Sequence, residues 1–389
     1  MYLLPKPKTI KEQDGQMLLC YSTHIVMTKE VAETEMHAAK RLQEAIRQET
    51  GLILPFSVGE VREGDLSLGI AKTLPEQTYE ITIDEKGGQI SGGDGAGVLY
   101  GVETFCQIVQ QCGGILPCVQ IQDAPDMPNR GYYFDQTRGR VLKLEELKKI
   151  ADRMCRYKLN QLQLYVEHTY LFRDFSEMWR DQTPLTAEEI LELDSYCRER
   201  HIELVPSLAS FGHLCTLLST KTYGDLCEME DSWKEPFSFW NRMRYHTINV
   251  SDERSLPLIK KMIAEYMQLF SSNKFNICAD ETFCLGKYKS KKLAEERGVH
   301  RLYIDYVKEL AQFLVENGKI PMFWGDIIWN SPELMKELPE SMICLNWGYA
   351  PEQREDETRA IAQTGAVQYL CPGVCGWNQW ANLIENSYK

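Results

Sequence analysis

FNICADE, residues 275–281, is a short apolar run that ends abruptly in two carboxylates. Its length and its Ile and Phe content suit a buried strand better than a helix. The same design recurs on both sides of it. GYYFD (131–135), QLQLYVE (161–167), ELVPSL (203–208), PMFWG (321–325), MICLNW (342–347) and VQYL (367–370) are short apolar runs separated by amphipathic helical stretches. Helix boundaries are marked by a TAEE capping box at Thr186–Glu189, by Ser331-Pro332 ahead of ELMKEL, and by Gly318 and Gly365 as stops. Strands alternating with helices predict a parallel α/β fold. Seven such units, without a Gly-rich phosphate turn after the first strand, predict a (β/α)8 TIM barrel rather than a dinucleotide-binding sheet.

An eighth strand is not visible, because the sequence ends at ANLIENSYK (381–389) where a helix has just begun. A strand hidden between Leu214 and Val250, an open barrel, or a polypeptide continuing past Lys389 would each account for it; the expectation is the last. Upstream, residues 1–125 mix strand candidates (Met17–Ser22, Leu66–Ala71, Tyr79–Asp84) with helices over Glu30–Thr50 and from Ala96, an α+β pattern. QDAPDMPN (122–129) reads as a linker. The expected organisation is a small α+β domain over 1–125 and a barrel over 126–389.

The 389 residues, 43% hydrophobic and 25% charged, can bury a sizeable core and exclude a small binding module. A formal net charge of -13 disfavours nucleic acid and anionic lipid as partners. Pro5 and Pro7 interrupt the start before any apolar leader can form, and no apolar run approaches a bilayer span. Thirteen cysteines, an odd number without repeating spacing, read as reduced thiols in a cytoplasmic protein.

In a β/α barrel the chemistry sits at the C-terminal ends of the strands. Here those ends offer Asp135, Glu167-His168, Ser210-Phe211-Gly212-His213, Asp280-Glu281, Trp324-Gly325-Asp326, Asn346-Trp347, and Tyr369 with Trp377 beyond it. Carboxylates and histidines bind hydroxyls, and tryptophan faces stack on the C–H side of a sugar ring, so the ligand expected is a neutral carbohydrate. All eight tryptophans fall between Trp179 and Trp380; Trp324, Trp347 and Trp377 are the stacking candidates. Glycoside cleavage needs a carboxylic acid to protonate the leaving oxygen and a group to stabilise charge at the anomeric carbon. In the Asp280-Glu281 pair, one carboxylate is expected to raise the pKa of the other and keep the acid protonated. The seven histidines form no H-x-H or H-E-x-x-H motif, so neither metal nor cofactor is expected. Cys278 and Cys284 read as buried structural thiols.

From about Tyr79 onward the chain resembles the family 20 glycoside hydrolases, the β-N-acetylhexosaminidases, and within them the hexosaminidase D-like branch. AGVLYGVETFCQIVQQ is similar to the second helix of that family's small domain. NRGYYFDQTRGR, LNQLQLYVEHTY, LVPSLASFGHL, FNICADETFCLG and FWGDIIW are similar, in order, to its first five barrel strands. The resemblance implies substrate-assisted, retaining removal of a terminal N-acetylhexosamine through an oxazolinium intermediate, from an oligosaccharide or glycoconjugate. By position it implies Glu281 as acid and then base, and Asp280 as the group orienting the acetamide. Arg130 would grip hydroxyls at the pocket floor and Glu167 and His213 would support the pair. Trp324, Trp347 and Trp377 would form the walls, Tyr369 would donate to the acetamido oxygen, and Asp326 would bind a hydroxyl. The sequence departs from the family pattern at Cys371, where an Asp commonly follows Tyr-Leu, and at Glu167, where Asp is more usual. A non-catalytic carbohydrate-binding barrel and a conventional retaining glycosidase using Glu281 with Asp326 remain as alternatives.

Overall fold

A computed structural model describes residues 1–236, 238–350 and 354–374. The chain divides into two compact units. The first comprises Met1–Tyr132, Leu144–Leu162 and Leu193–Glu203; the second comprises Tyr133–Lys143, Gln163–Glu192 and Leu204–Lys389.

The first unit is built on a seven-stranded mixed sheet. Its strands are β1 (Thr9–Leu18), β2 (Ile25–Met27), β3 (Phe56–Val58), β4 (Leu66–Ile70), β5 (Tyr79–Asp84), β6 (Gly87–Gly92) and β7 (Ile115–Asp123), in the spatial order β1-β7-β5-β6-β4-β2-β3. Helix Gly95–Cys112 packs on this sheet, and its residues from Ala96 to Val109 are all buried. Its backbone comes so close that a Cβ at Gly97 would stand 2.2 Å from the Thr78 carbonyl oxygen, which only glycine avoids. Asp94 starts it: the carboxylate accepts from Gly97 N–H at 2.7 Å and from Gln77 N–H at 2.9 Å.

Three details differ from expectation. The first strand is Thr9–Leu18, earlier than Met17–Ser22. The helix expected over Glu30–Thr50 is two, Lys29–Thr34 and Met36–Thr50, because Glu35 leaves helical dihedrals (φ -120, ψ 26) and its carboxylate lies 2.8 Å from His201 Nε2. The pieces GGQISG and ILPCVQIQD are strands despite weak alternation and a proline, and β7 runs into the stretch read as linker.

The second unit carries a parallel sheet of β8 (Gly131–Asp135), β9 (Gln161–Val166), β10 (Glu203–Leu208), β11 (Lys274–Asn276), β12 (Ile320–Trp324), β13 (Ile343–Gly348) and β14 (Val367–Pro372), neighbours in sequence pairing throughout. All seven expected strands are present. Among the described residues β8 and β14 are the edges of the sheet. The stretch from Leu214 to Val250 holds short helices (Cys215–Leu218, Phe239–Arg244) and, among the described residues, no strand beyond the isolated Cys227–Ile248 bridge. The TAEE box forms reciprocally, with Thr186 N–H donating to Glu189 and Glu189 N–H to Thr186 Oγ1. Ser331-Pro332 opens a 3₁₀ turn, Pro332–Glu337, rather than an α-helix.

Helix Val299–Glu316 sets the geometry of the site. Leu302, Tyr303, Tyr306, Val307, Leu310 and Leu314 form its buried stripe at helical spacing. Two of these carry hydroxyls inward: Tyr303 donates to the Ala279 carbonyl at 3.0 Å and Tyr306 to the Ser210 carbonyl at 2.9 Å. The Phe211 ring lies 5.7 Å from Tyr303 and 4.2 Å from Tyr306. One helix face thus braces the loops after both β10 and β11.

Replacing Asp94 with alanine removes the cap of Gly95–Cys112 and is expected to cost about 1 kcal/mol of stability, read as a lower urea midpoint at unchanged slope.

Candidate active site

Strand β11 stops at Asn276, short of the expected Ala279, because the backbone turns left-handed. Cys278 (φ 58), Ala279 (φ 62) and Glu281 (φ 47) all have positive φ without being glycine. The turn is tied at each step. Cys278 N–H donates to Asn276 Oδ1 at 2.8 Å, Glu281 N–H to Asp326 Oδ2 at 3.0 Å, and Phe283 N–H to the Glu281 carbonyl at 2.7 Å. Left-handed residues cost of order 1–2 kcal/mol each, so the bonds around them must hold the shape.

His213, itself at φ 59, comes from the loop after β10. Its side chain is 1% exposed, and Nε2 lies 3.3 Å from both Asp280 Oδ2 and Glu281 Oε2. Such closeness requires Gly212, where a Cβ would stand 2.5 Å from the Asp280 carbonyl oxygen. Burial alone would lower the His213 pKa, but Asp280, Glu281 and Glu167 outweigh it and raise the pKa to about 10. The imidazolium is therefore the resident form at neutral pH. Burial would raise the Asp280 pKa, but His213 and then Arg138 hold it below the ordinary carboxylate range. Asp280 is an anion paired with a buried cation.

Glu167 is 3% exposed and is held the same way. Burial would raise its pKa, but Arg242, Arg138 and His213 lower it. Arg242 reaches its Oε2 at 2.9 Å, Arg138 lies 3.8 Å from Oε1, and the Tyr165 hydroxyl donates to Oε1 at 2.9 Å. Arg138 also donates to Asp135 at 2.6 Å and lies 4.6 Å over the Tyr165 ring. His168 Nδ1 lies 3.1 Å from the Thr216 hydroxyl, and burial lowers its pKa.

The structure thus brings Asp280, Glu281, His213, Glu167 and Asp326 together. The carboxyl whose pKa rises well above normal is Asp326, through burial and then Asp280 and Glu281. Arg130 belongs to the first unit, where its guanidinium donates to the carbonyls of Lys158 (2.9 Å), Met127 (2.7 Å) and Pro128 (3.2 Å) and to the Tyr100 hydroxyl (3.2 Å). It precedes β8, at the strand's N-terminal end. Trp324 is 6% exposed, its ring nearly perpendicular to Tyr133 at 4.9 Å, a packed interior position. Trp347 is half-buried at the end of β13, 5.3 Å from Tyr349, and Tyr369 is half-buried on β14. Trp377 lies outside the described residues.

Sequence reading missed Arg138 and Arg242. The Asp135-x-x-Arg138 spacing after β8 was a usable signal; Arg242, far from any strand end, offered none. Cys278 and Cys284 are buried thiols whose pKa values burial raises, that of Cys284 to about 12. Among the described residues no group of three or more His, Cys, Asp or Glu is arranged to hold a metal ion.

A seven-stranded parallel sheet with its carboxyl cluster beyond the strands' C-terminal ends is the arrangement of a β/α barrel, and sequence comparison places it in a family. The profile "Glycosyl hydrolase family 20, domain 2" matches residues 1–124 and "Glycosyl hydrolase family 20, catalytic domain" matches 128–375. The chain belongs to glycosyl hydrolase family 20. Relatives include a β-hexosaminidase of Porphyromonas gingivalis, 24% identical over 96% of this chain and 50% of the relative, and one of Vibrio furnissii, 26% identical over 72% and 48%. The chain therefore spans about half the length of the curated relatives it matches. The β-N-acetylhexosaminidase structure from Bacteroides fragilis aligns at a TM-score of 0.78 with 18% identity, covering 98% of this chain and 79% of that one. A Streptomyces plicatus β-hexosaminidase variant, solved with GlcNAc, aligns equally well at 18% identity, covering 95% and 74%. These matches extend to the family and do not single out the hexosaminidase D-like branch.

Two outcomes test this geometry. A group whose folded pKa is raised contributes stability below its unfolded pKa and loses it as pH rises through the folded value. The stability advantage of wild type over His213→Gln should therefore shrink between pH 6.5 and about 10, followed by thermal unfolding. Gly212→Ala pushes a Cβ into the Asp280 backbone and should cost roughly 1–3 kcal/mol, measured by denaturant titration.

Proposed function

We propose that this chain carries the exo-acting β-N-acetylhexosaminidase activity of its family, releasing terminal GlcNAc or GalNAc by substrate-assisted catalysis. The observation that carries the reading is the buried His213 cation between the adjacent carboxyl groups of Asp280 and Glu281. An ionised Asp280 suits a group that accepts the acetamido N–H and balances charge at the anomeric carbon. The acetamido carbonyl oxygen attacks C1 while the C1–O bond breaks and Glu281 gives its proton to the leaving oxygen. Glu281, now a carboxylate, then takes a proton from water as that water attacks C1 and opens the oxazolinium. Configuration is retained by two inversions.

The two-carboxylate alternative needs Asp326 as an anionic nucleophile. Its engagement with the Glu281 N–H and its raised pKa both oppose that role. For the compartment, we infer the cytoplasm, supported by described cysteines that are all free. No described helix is long and apolar enough to cross a membrane.

Aryl β-N-acetylglucosaminide and β-N-acetylgalactosaminide should be hydrolysed by the full-length protein, and Glu281→Gln should lower kcat by about 10²–10⁴, most for poor leaving groups. Thermal stabilisation by GlcNAc without any hydrolysis would favour a binding protein instead.

A further inference from the structure

We propose that Asp326 is a positioning residue: its carboxyl receives the Glu281 N–H, fixes the left-handed turn and so aims the catalytic acid, in place of contacting substrate. This inference rests on the hydrolase reading for its kinetic arm only.

The geometry is specific to the acid residue. Glu281 stands at φ 47, a conformation that residues with a Cβ avoid without compensation. Its N–H is taken by Asp326 Oδ2 at 3.0 Å and its carbonyl by the Phe283 N–H at 2.7 Å, so the peptide groups on both sides of its Cα are fixed. Asp326 follows β12 directly, and Trp324 N–H donates to the Cys278 carbonyl at 2.9 Å, so the strand that supports Asp326 is itself joined to the acid loop. The second oxygen, Oδ1, is buried with no hydrogen-bond partner among the described residues.

A carboxylate there would face unfavourable surroundings. The titratable groups that act most strongly on Asp326 are Asp280 and Glu281 of the acid loop, and it acts in turn on Tyr303 of helix Val299–Glu316 and Cys344 of β13; the cation of the cluster, His213, lies against Asp280 and Glu281. Burial and these neighbours favour the neutral acid, which accepts the N–H on one oxygen and carries its proton on the other. Ionisation would set another negative charge beside the Asp280 anion, next to the catalytic acid, and lose activity on the alkaline side.

Asp326→Asn keeps an acceptor of the same shape that cannot ionise, whereas Asp326→Ala removes it. For wild type and both variants, kcat, KM and the pH profile would be measured on the aryl substrate, together with thermal unfolding from pH 4 to 9. The expected result is a kcat at least tenfold lower in Asp326→Ala with KM within about twofold, substantial rescue in Asp326→Asn, and an alkaline limb displaced upward in the Asn variant. Because the folded state holds this proton more tightly than the unfolded one, wild-type stability should fall relative to Asp326→Asn as pH rises above the ordinary Asp range. The unfolding measurements need no substrate, so they read whether the Asp326 carboxyl holds the turn even where the protein is inactive, an outcome that would count against the hydrolase reading alone. Should Asp326→Ala fail to fold, the Asn profile decides. Equal loss in both variants with KM raised several-fold would overturn the proposal in favour of a sugar ligand, and a stability unchanged in Asp326→Ala at every pH would show that the carboxyl does not hold the turn.

Discussion

A buried imidazolium between two neighbouring carboxyl groups is the interaction on which the site depends. A cation this deep is tolerable only with anions beside it, since desolvating an unpaired charge costs several kcal/mol. His213 therefore requires Asp280, and Asp280 in turn is held ionised by His213. The same requirement reaches outward. Glu167 adds negative charge toward His213 and is itself neutralised by Arg138 and Arg242. Removing one partner strands the others, so the cluster behaves as a unit rather than as separable contacts.

The backbone serves that electrostatic arrangement. Two loops come within a glycine's width at Gly212, and the left-handed residues Cys278, Ala279 and Glu281 bring the acid pair round to His213. Helix Val299–Glu316 supplies the brace, using tyrosine hydroxyls where leucine would fill the space but leave the Ala279 and Ser210 carbonyls without a donor. Helical amphipathicity, a property of the whole domain, thereby reaches the reacting groups.

Much of this was legible in the sequence, and what was not has identifiable causes. The inner parallel strands such as β9 and β10 were readable because strands buried on both faces are continuous apolar runs, and the acid pair because it interrupts one. Strand β11 was overestimated because apolar character does not reveal that Cys278 and Ala279 are left-handed. The small domain's strands were partly missed where glycines and polar residues dilute the alternation, as in GGQISG. Arg130 was assigned to the pocket by resemblance, and main-chain carbonyls engage its guanidinium; Arg138, eight residues on, pairs with Asp135 and Glu167 and helps hold Asp280 ionised. Charge balance in a folded site depends on long-range pairs such as Arg242–Glu167, 75 residues apart, which no local pattern contains.

The left-handed turn at Cys278–Glu281 has a thermodynamic consequence for recognition. Its dihedrals are fixed by bonds to Asn276, Asp326 and Tyr303 that exist before any ligand arrives. The conformational entropy of the reacting groups is thus given up when the chain folds, and a ligand entering the site does not bear it again. An acid pair on a mobile loop would need part of each ligand's binding free energy for ordering; here that share stays available to discriminate between one ligand, or one state of a ligand, and another.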